Sequence, residues 1–372
     1  MKKKTFGGLA LSALSAFCAI ASAQTLPSVT LYGLIDVAVE RVSNVGASGT
    51  SLVRVPGNTG SLPSRWGMRG SEDLGDGLKA EFTLESGFGP DTGSLGQGGR
   101  LFGRQAYVGI SGKWGMVSLG RQHTMLQTAL MDADVIGPML FSLGSLDNYI
   151  PNARADNALA WRGTFDGLTL GATYSLGRDT ANPAPNNPGG TNCAGESATD
   201  TQACREWSLL AKYNQPSWGV AAGIDEMRGG AGSWVAAGLT TSSLTDRRST
   251  LNGYVKVGTV KLAGGLISRN NEGSAATPRS DLIFFGVSYP VTPSLTLDAQ
   301  LAQLKFKNSA NKAQLALVRG VYSLSRRTAL YASLGHISND GTLAISVSGG
   351  ASGSNPAAGA SQLGILASCR VV

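Results

Sequence analysis

From Ser28 the chain reads SVTLYGLIDVAVER, and alternate positions separate by polarity. Val29, Leu31, Gly33, Ile35, Val37 and Val39 fall on one side, and Thr30, Tyr32, Asp36 and Glu40 on the other, with Leu34 and Ala38 among them. A period of two with one apolar and one largely polar side predicts a β-strand. The pattern recurs: Trp66 and Met68 oppose Arg65 and Arg69, and Ala80, Phe82 and Leu84 oppose Lys79, Glu81, Thr83 and Glu85. Further on, Leu251, Val255 and Val257 oppose Asn252, Tyr254 and Lys256, and Leu295, Leu297, Ala299 and Leu301 oppose Thr296, Asp298 and Gln300. The phase slips once, where Leu304 and Phe306 stand between Lys305 and Lys307; a bulge, or the end of a membrane-embedded stretch, would produce this. Arg104 shares a phase with Phe102 and Ala106. A cation on a lipid-facing wall costs about 2–4 kcal/mol at mid-membrane, so Arg104 is expected to face inward.

About sixteen such runs can be counted, beginning near residues 28, 64, 78, 100, 115, 157, 168, 205, 218, 248, 260, 280, 294, 312, 327 and 361. Connections alternate between short ones, such as 72–77, 112–115, 166–167 and 215–217, and mostly longer ones near 45–63, 89–99, 125–153, 178–204, 229–247, 271–279, 308–311 and 340–360, of which 308–311 is itself short. An even strand number, with short turns on one rim and long loops on the other, predicts an all-β, antiparallel up-and-down transmembrane barrel. A secreted β-sandwich or solenoid would also alternate, but so many strands in one chain suit a single wide barrel better.

Composition supports a folded chain: 42% of its 372 residues are hydrophobic, 15% charged, and 51 are Gly. That excludes disorder and helical membrane bundles. The formal charge of +7 needs correction, because Lys2, Lys3 and Lys4 open a basic segment followed by apolar Gly7–Ile20 and the small-residue site Ala21-Ser22-Ala23. Residues 1–23 therefore read as a secretory signal and residues 24–372 as the mature barrel. Cys18 reads as a small apolar residue of that signal, since bulky Phe17 precedes it where a lipoprotein signal needs a small one. Losing three lysines and no acid leaves +4, too little to argue for nucleic acid.

Specific strings sharpen the picture. SVTLYGLID (28–36), SRWGMRGSEDLGDGLKAEFTLESGF (64–88), LFGRQAYVGISGKWGMVSLGRQ (101–122) and YSLSRRT (322–328) resemble the trimeric general porins of beta-proteobacterial outer membranes. The resemblance spans the mature chain and implies a 16-stranded barrel, three per assembly, set among outer-membrane lipid and lipopolysaccharide by the barrel assembly machinery. It implies passive diffusion of ions and small hydrophilic solutes, with no catalysis and no cofactor. It also implies that the third long loop, 125–153, folds into the lumen and sets Asp132 and Asp134 against wall arginines, which by motif fall on Arg65, Arg104 and Arg154. Arg69, Arg121 and Arg162 are secondary lumen candidates, together with Asp36, Glu81 and Glu85, to which any of these arginines could simply be salt-bridged. Opposed charges across a narrow aqueous passage create a transverse field, and an excess of cations raises the local anion concentration, so a mild anion preference is expected. Trp66, Phe82, Trp161, Trp207 and Tyr213 are candidates for the lipid face or its aromatic girdles.

Other chemistry finds little support. His123 and His336 stand in no metal or triad motif, and no phosphate-binding glycine loop occurs. An outer-membrane barrel enzyme, a plugged adhesion barrel and a solute-specific channel remain the alternatives. Cys193 and Cys204 bracket a short stretch of a polar loop in an oxidising context and are expected to pair, leaving Cys369 free. The last residues, Gly364–Val372, alternate poorly and carry no terminal aromatic of the kind that closes this family, which places the final strand and its assembly in question.

Overall fold

The computed structural model describes residues 28–58, 61–137, 140–179, 193–231, 238–349, 351 and 353–372; the expected signal, residues 1–23, lies outside them. Within these, the alternating runs pair edge to edge into one antiparallel sheet that closes on itself. Its strands are β1 (Ser28–Val45), β2 (Thr50–Arg54), β3 (Arg65–Gly75), β4 (Leu78–Gly87), β5 (Gln105–Gly112), β6 (Gly115–His123), β7 (Arg154–Phe165), β8 (Leu168–Ser175) and β9 (Glu206–Asn214). They continue as β10 (Trp218–Arg228), β11 (Thr245–Val257), β12 (Val260–Asn271), β13 (Arg279–Pro290), β14 (Leu295–Phe306), β15 (Lys312–Ser323), β16 (Thr328–Asp340) and β17 (Gln362–Val371).

The barrel is 16-stranded although seventeen segments are present. One end of β1 pairs with β3 and the other with the short β2, so β2 and β3 occupy one position in the wall. The first long connection, expected as plain loop over 45–63, therefore contributes an extra strand. Closure comes from β17, which pairs with β16 on one side and β1 on the other and so joins the two ends of the sheet.

The two faces follow the sequence. On β1, Val29, Leu31, Ile35 and Val39 are exposed while Asp36 and Glu40 are buried; on β11, Leu251, Val255 and Val257 point outward. The register sets Trp66, Phe82, Trp161, Trp207 and Tyr213 on outward positions. Short turns at 76–77, 113–114, 166–167, 215–217 and 258–259 line one rim, and the long connections line the other.

The phase slip and the poor alternation of the last residues share one cause. Strand β14 has no bulge: its pairing with β13 runs without interruption from Ser280↔Phe306 to Pro290↔Thr296. The phase slip is instead a change in what the inner face meets, since Ala302 and Leu304 point inward onto an apolar cluster. The final strand also alternates cleanly, with Gly364, Leu366 and Ser368 inward and Leu363, Ile365, Ala367 and Cys369 outward. Its inward Leu366 obscured the pattern, because it too meets that cluster rather than water.

Candidate pore constriction

What fills the lumen is the segment between β6 and β7. Its polarity explains its path: residues 125–150 hold Leu126, Leu130, Ile136, Leu140, Phe141, Leu143 and Ile150, an apolar set too large to leave in water. These side chains pack on Ala263, Ile267, Leu282, Phe284, Ala302, Leu304, Leu315, Tyr331 and Leu366 of β12–β17. The wall makes room with glycines. A Cβ placed on Gly171, Gly223, Gly286 or Gly364 would stand 2.5 Å from Met125 Sδ, 2.8 Å from Ala129 Cβ, 2.5 Å from Val135 Cγ2 and 2.3 Å from Phe141 Cε1 respectively. The loop thus lies against one side of the barrel and leaves the β3–β7 side facing open lumen.

The far end of the loop is anchored by charge. The Tyr149 hydroxyl lies 2.7 Å from Glu206 Oε1 and within hydrogen-bond reach of Asp225 as well, its one proton shared between the two carboxyls, and the guanidiniums of Arg248 and Arg178 lie 4.3 and 5.0 Å from the centre of its ring. Arg248 also pairs with Asp147 at 2.8 Å and with Asp246 at 2.9 Å. Burial pushes the Asp147 carboxyl up, but Arg248 and Arg269 outweigh it and hold the group below its usual range. Asp134 shows the opposite balance: burial raises it, and hydrogen bonds from Gln300 and the backbone N–H groups of Gly137 and Ile136 do not compensate.

Across the open lumen stand the arginines. Arg104 Nε lies 2.6 Å from Glu85 Oε1 and Arg65 Nε 3.4 Å from Glu85 Oε2, and Tyr32 donates to the same carboxylate at 3.0 Å. Arg154, only 2% exposed, donates to the Pro151 carbonyl at 3.2 Å, and its Nε has no hydrogen-bond partner. Arg65, Glu85, Arg104 and Arg154 line a cavity of about 380 Å³ together with Arg162, Tyr107, His123, Thr128 and Met131. Four guanidiniums therefore share this space with one carboxylate, Glu85.

The other sequence candidates separate. The structure brings Arg65, Arg104, Arg154, Arg162 and Glu85 together, but it does not set Asp132 and Asp134 against them. Asp132 pairs with Lys212 Nζ at 2.6 Å and accepts from Asn214 at 3.0 Å, on β9; Asp134 is turned into the loop and onto Gln300 of β14. The reason is connectivity, since the apolar face of the loop turns these acids toward the β9–β14 wall. Met131 and Thr128 face the arginines instead. Arg121 pairs with Asp156, which Arg100 also contacts at 3.0 Å. Arg69 lies 5.6 Å from the centre of the Tyr32 ring, and Glu81 accepts from Ser111. Asp36 binds no arginine in this group: its carboxylate accepts from Ser61, the Leu62 N–H, Tyr331 and Ser368. Cys193 and Cys204 are disulfide-bonded and Cys369 is free. Among the described residues no group of His, Cys, Asp and Glu is arranged to hold a metal. Sequence reasoning missed Tyr149, Lys212 and Lys261; Lys256 had at least been placed on the polar side of its strand.

Comparison with known proteins agrees with this architecture. A family model described as Gram-negative porin matches residues 10–342. Outer membrane porin protein 32 of Delftia acidovorans is 30% identical over 97% of this chain and 98% of its own length. An outer membrane porin of Bordetella pertussis is 36% identical, but over 47% of this chain and 48% of that one, so the match spans about half of each. Among solved structures, the anion-selective porin from Comamonas acidovorans superposes with a TM-score of 0.73 at 26% identity, covering 93% of this chain and 99% of that one. The OmpT of Vibrio cholerae shares the fold, with a TM-score of 0.64 at 16% identity over 93% and 97%.

Proposed function

This chain belongs to the Gram-negative porin family, and from that premise we propose that it is an anion-preferring, trimeric diffusion pore that catalyses no reaction. It is an outer-membrane protein with a closed β-barrel, and it passes small hydrophilic solutes passively through the lumen. The single observation that carries the anion preference is the balance of charge on the β3–β7 wall, where Arg65, Arg104, Arg154 and Arg162 meet only Glu85. Two of the four share that carboxylate and two have no carboxylate within bonding distance among the described residues, so the excess positive potential falls on the water-filled side. Guanidinium stays charged at any working pH, which makes the preference steady through the neutral range. The Comamonas acidovorans relative, described as anion-selective, supports the same sign. In this reading residues 1–23 are removed on export, lipopolysaccharide surrounds the long-loop rim, and the barrel assembly machinery inserts the chain through β17.

Planar-bilayer recording across a potassium chloride gradient tests it. Steps in groups of three, with a reversal potential on the anion side, are expected. The double variant Arg65→Gln/Arg104→Gln is expected to move that potential toward cations, and an unchanged value would remove the arginine wall from the selectivity mechanism.

A further inference from the structure

A second group of cations faces the lumen at the other end of the pore. Arg104 and Arg154 stand at the long-loop ends of β5 and β7, whereas Lys256 and Lys261 flank the two-residue turn 258–259 between β11 and β12. Their register is direct, Lys256↔Lys261, and both fall on inward positions, since Val255 and Val257 between them point outward. Like charges set directly opposite one another across paired strands are destabilising. Among the described residues no carboxylate pairs with either: Lys256 donates to the Pro216 carbonyl at 3.2 Å, and the two ammoniums lie 5.8 and 4.8 Å from the centre of the Tyr254 ring. That ring is itself fixed, lying over Gly219, where a Cβ would stand 2.6 Å from it, with its hydroxyl donating to the Gln215 carbonyl. Lys212 on β9 adds a third ammonium, and Asp132 is the carboxylate that reaches it. Asp134 lies on the same side but is buried in the loop. Asp132 bonds Lys212 and also lies within reach of the charge of Lys261, so the lysines share one accessible carboxylate on the wall opposite the arginines.

We propose that Lys256 and Lys261 beside Tyr254, with Lys212 joined to them through Asp132, form at the short-turn mouth a second anion-binding site that takes small multivalent oxyanions such as phosphate. An ammonium is a compact, rotatable donor suited to phosphate oxygens, and a dianion relieves the opposed lysine pair in a way that chloride, with half the charge, does so less well. The ligand also competes with Asp132 for Lys212, and Asp132 adjoins Met131, which lines the arginine cavity. Occupancy of the mouth is thereby linked to the arginine cavity. The inference rests on the anion-conducting reading above.

The test uses the full protein in planar bilayers, with inorganic phosphate added to each side in turn while chloride current is recorded. Phosphate from one side is expected to reduce the current, and Lys256→Gln/Lys261→Gln to weaken that block by about fivefold, the scale of two partly screened charges. Lys256→Arg/Lys261→Arg keeps the charge and is expected to keep the block, which guards against a merely damaged barrel. Equal block in the wild-type and glutamine proteins overturns the site, as does block lost in the arginine pair. A wild-type channel with a cation-side reversal potential overturns the anion reading itself, and is recognised before any phosphate is added.

Discussion

Asp134 and Asp147 belong to the same lumen loop and respond to opposite forces. At Asp147 the guanidiniums of Arg248 and Arg269 outweigh burial, so its folded carboxyl titrates below the unfolded one. Its contribution to stability is complete above about pH 4 and is lost as pH falls through the lower folded value. At Asp134 burial wins, the folded value lies above the unfolded one, and the favourable contribution exists at low pH and disappears as pH rises through that folded value. Near neutral pH the first charge therefore stabilises and the second costs. Asp147→Asn is expected to lose about 1–3 kcal/mol, because Arg248 is left with Asp246 as its one carboxylate partner among the described residues. Asp134→Asn keeps the acceptor used by Ile136, Gly137 and Gln300 and removes a buried charge, so it is expected to be neutral or stabilising. Thermal unfolding of the two variants at pH 7 checks the signs, and equal destabilisation by both would contradict this account.

At the scale of elements, the strands were legible wherever the wall separates lipid from water, because the two solvents impose opposite polarity on alternate positions. They became illegible where the loop replaces water. Leu304 and Leu366 look misplaced for a lumen face and are correct for a seat under an apolar loop. The arginine wall was legible because its residues sit in recognisable strings, but the partners of Asp132 and Asp134 were not, since they depend on which way the loop leans. Gly171, Gly223, Gly286 and Gly364 carry that information as missing side chains, a signal with no periodicity of its own. Filling one of these spaces forces the loop off its wall. Gly364→Val is expected to cost about 1–3 kcal/mol by overpacking and, because the displaced loop moves toward the arginines, to lower single-channel conductance. Gly258→Val serves as the contrast: it strains a turn with positive φ but meets no atom within 4 Å, so conductance should hold. A Gly364→Val channel with wild-type conductance would show that the loop position does not depend on this contact.

The whole barrel depends on one long-range event, the meeting of β17 with β1, and Asp36 stands at that seam. It is fully buried, and its carboxylate gathers Ser368 from β17 at 2.6 Å, Tyr331 from β16 at 2.8 Å, and Ser61 and the Leu62 N–H from the segment between β2 and β3. The N-terminal strand is thus tied at a single point to the last two strands and to its own neighbour. Along this seam the register of β17 runs from Ile35↔Val371 to Val42↔Gly364. Removing the acceptor strands several buried donors at once, each worth about 1–3 kcal/mol if left unpaired. Asp36→Ala is therefore expected to lower markedly the temperature at which the folded, heat-modifiable band is lost on a gel. Ser368→Ala removes one donor and leaves the carboxylate three others, so its shift should be small. Should the two variants melt together, the seam would be held by backbone pairing alone and the buried carboxylate would have no part in closing the barrel.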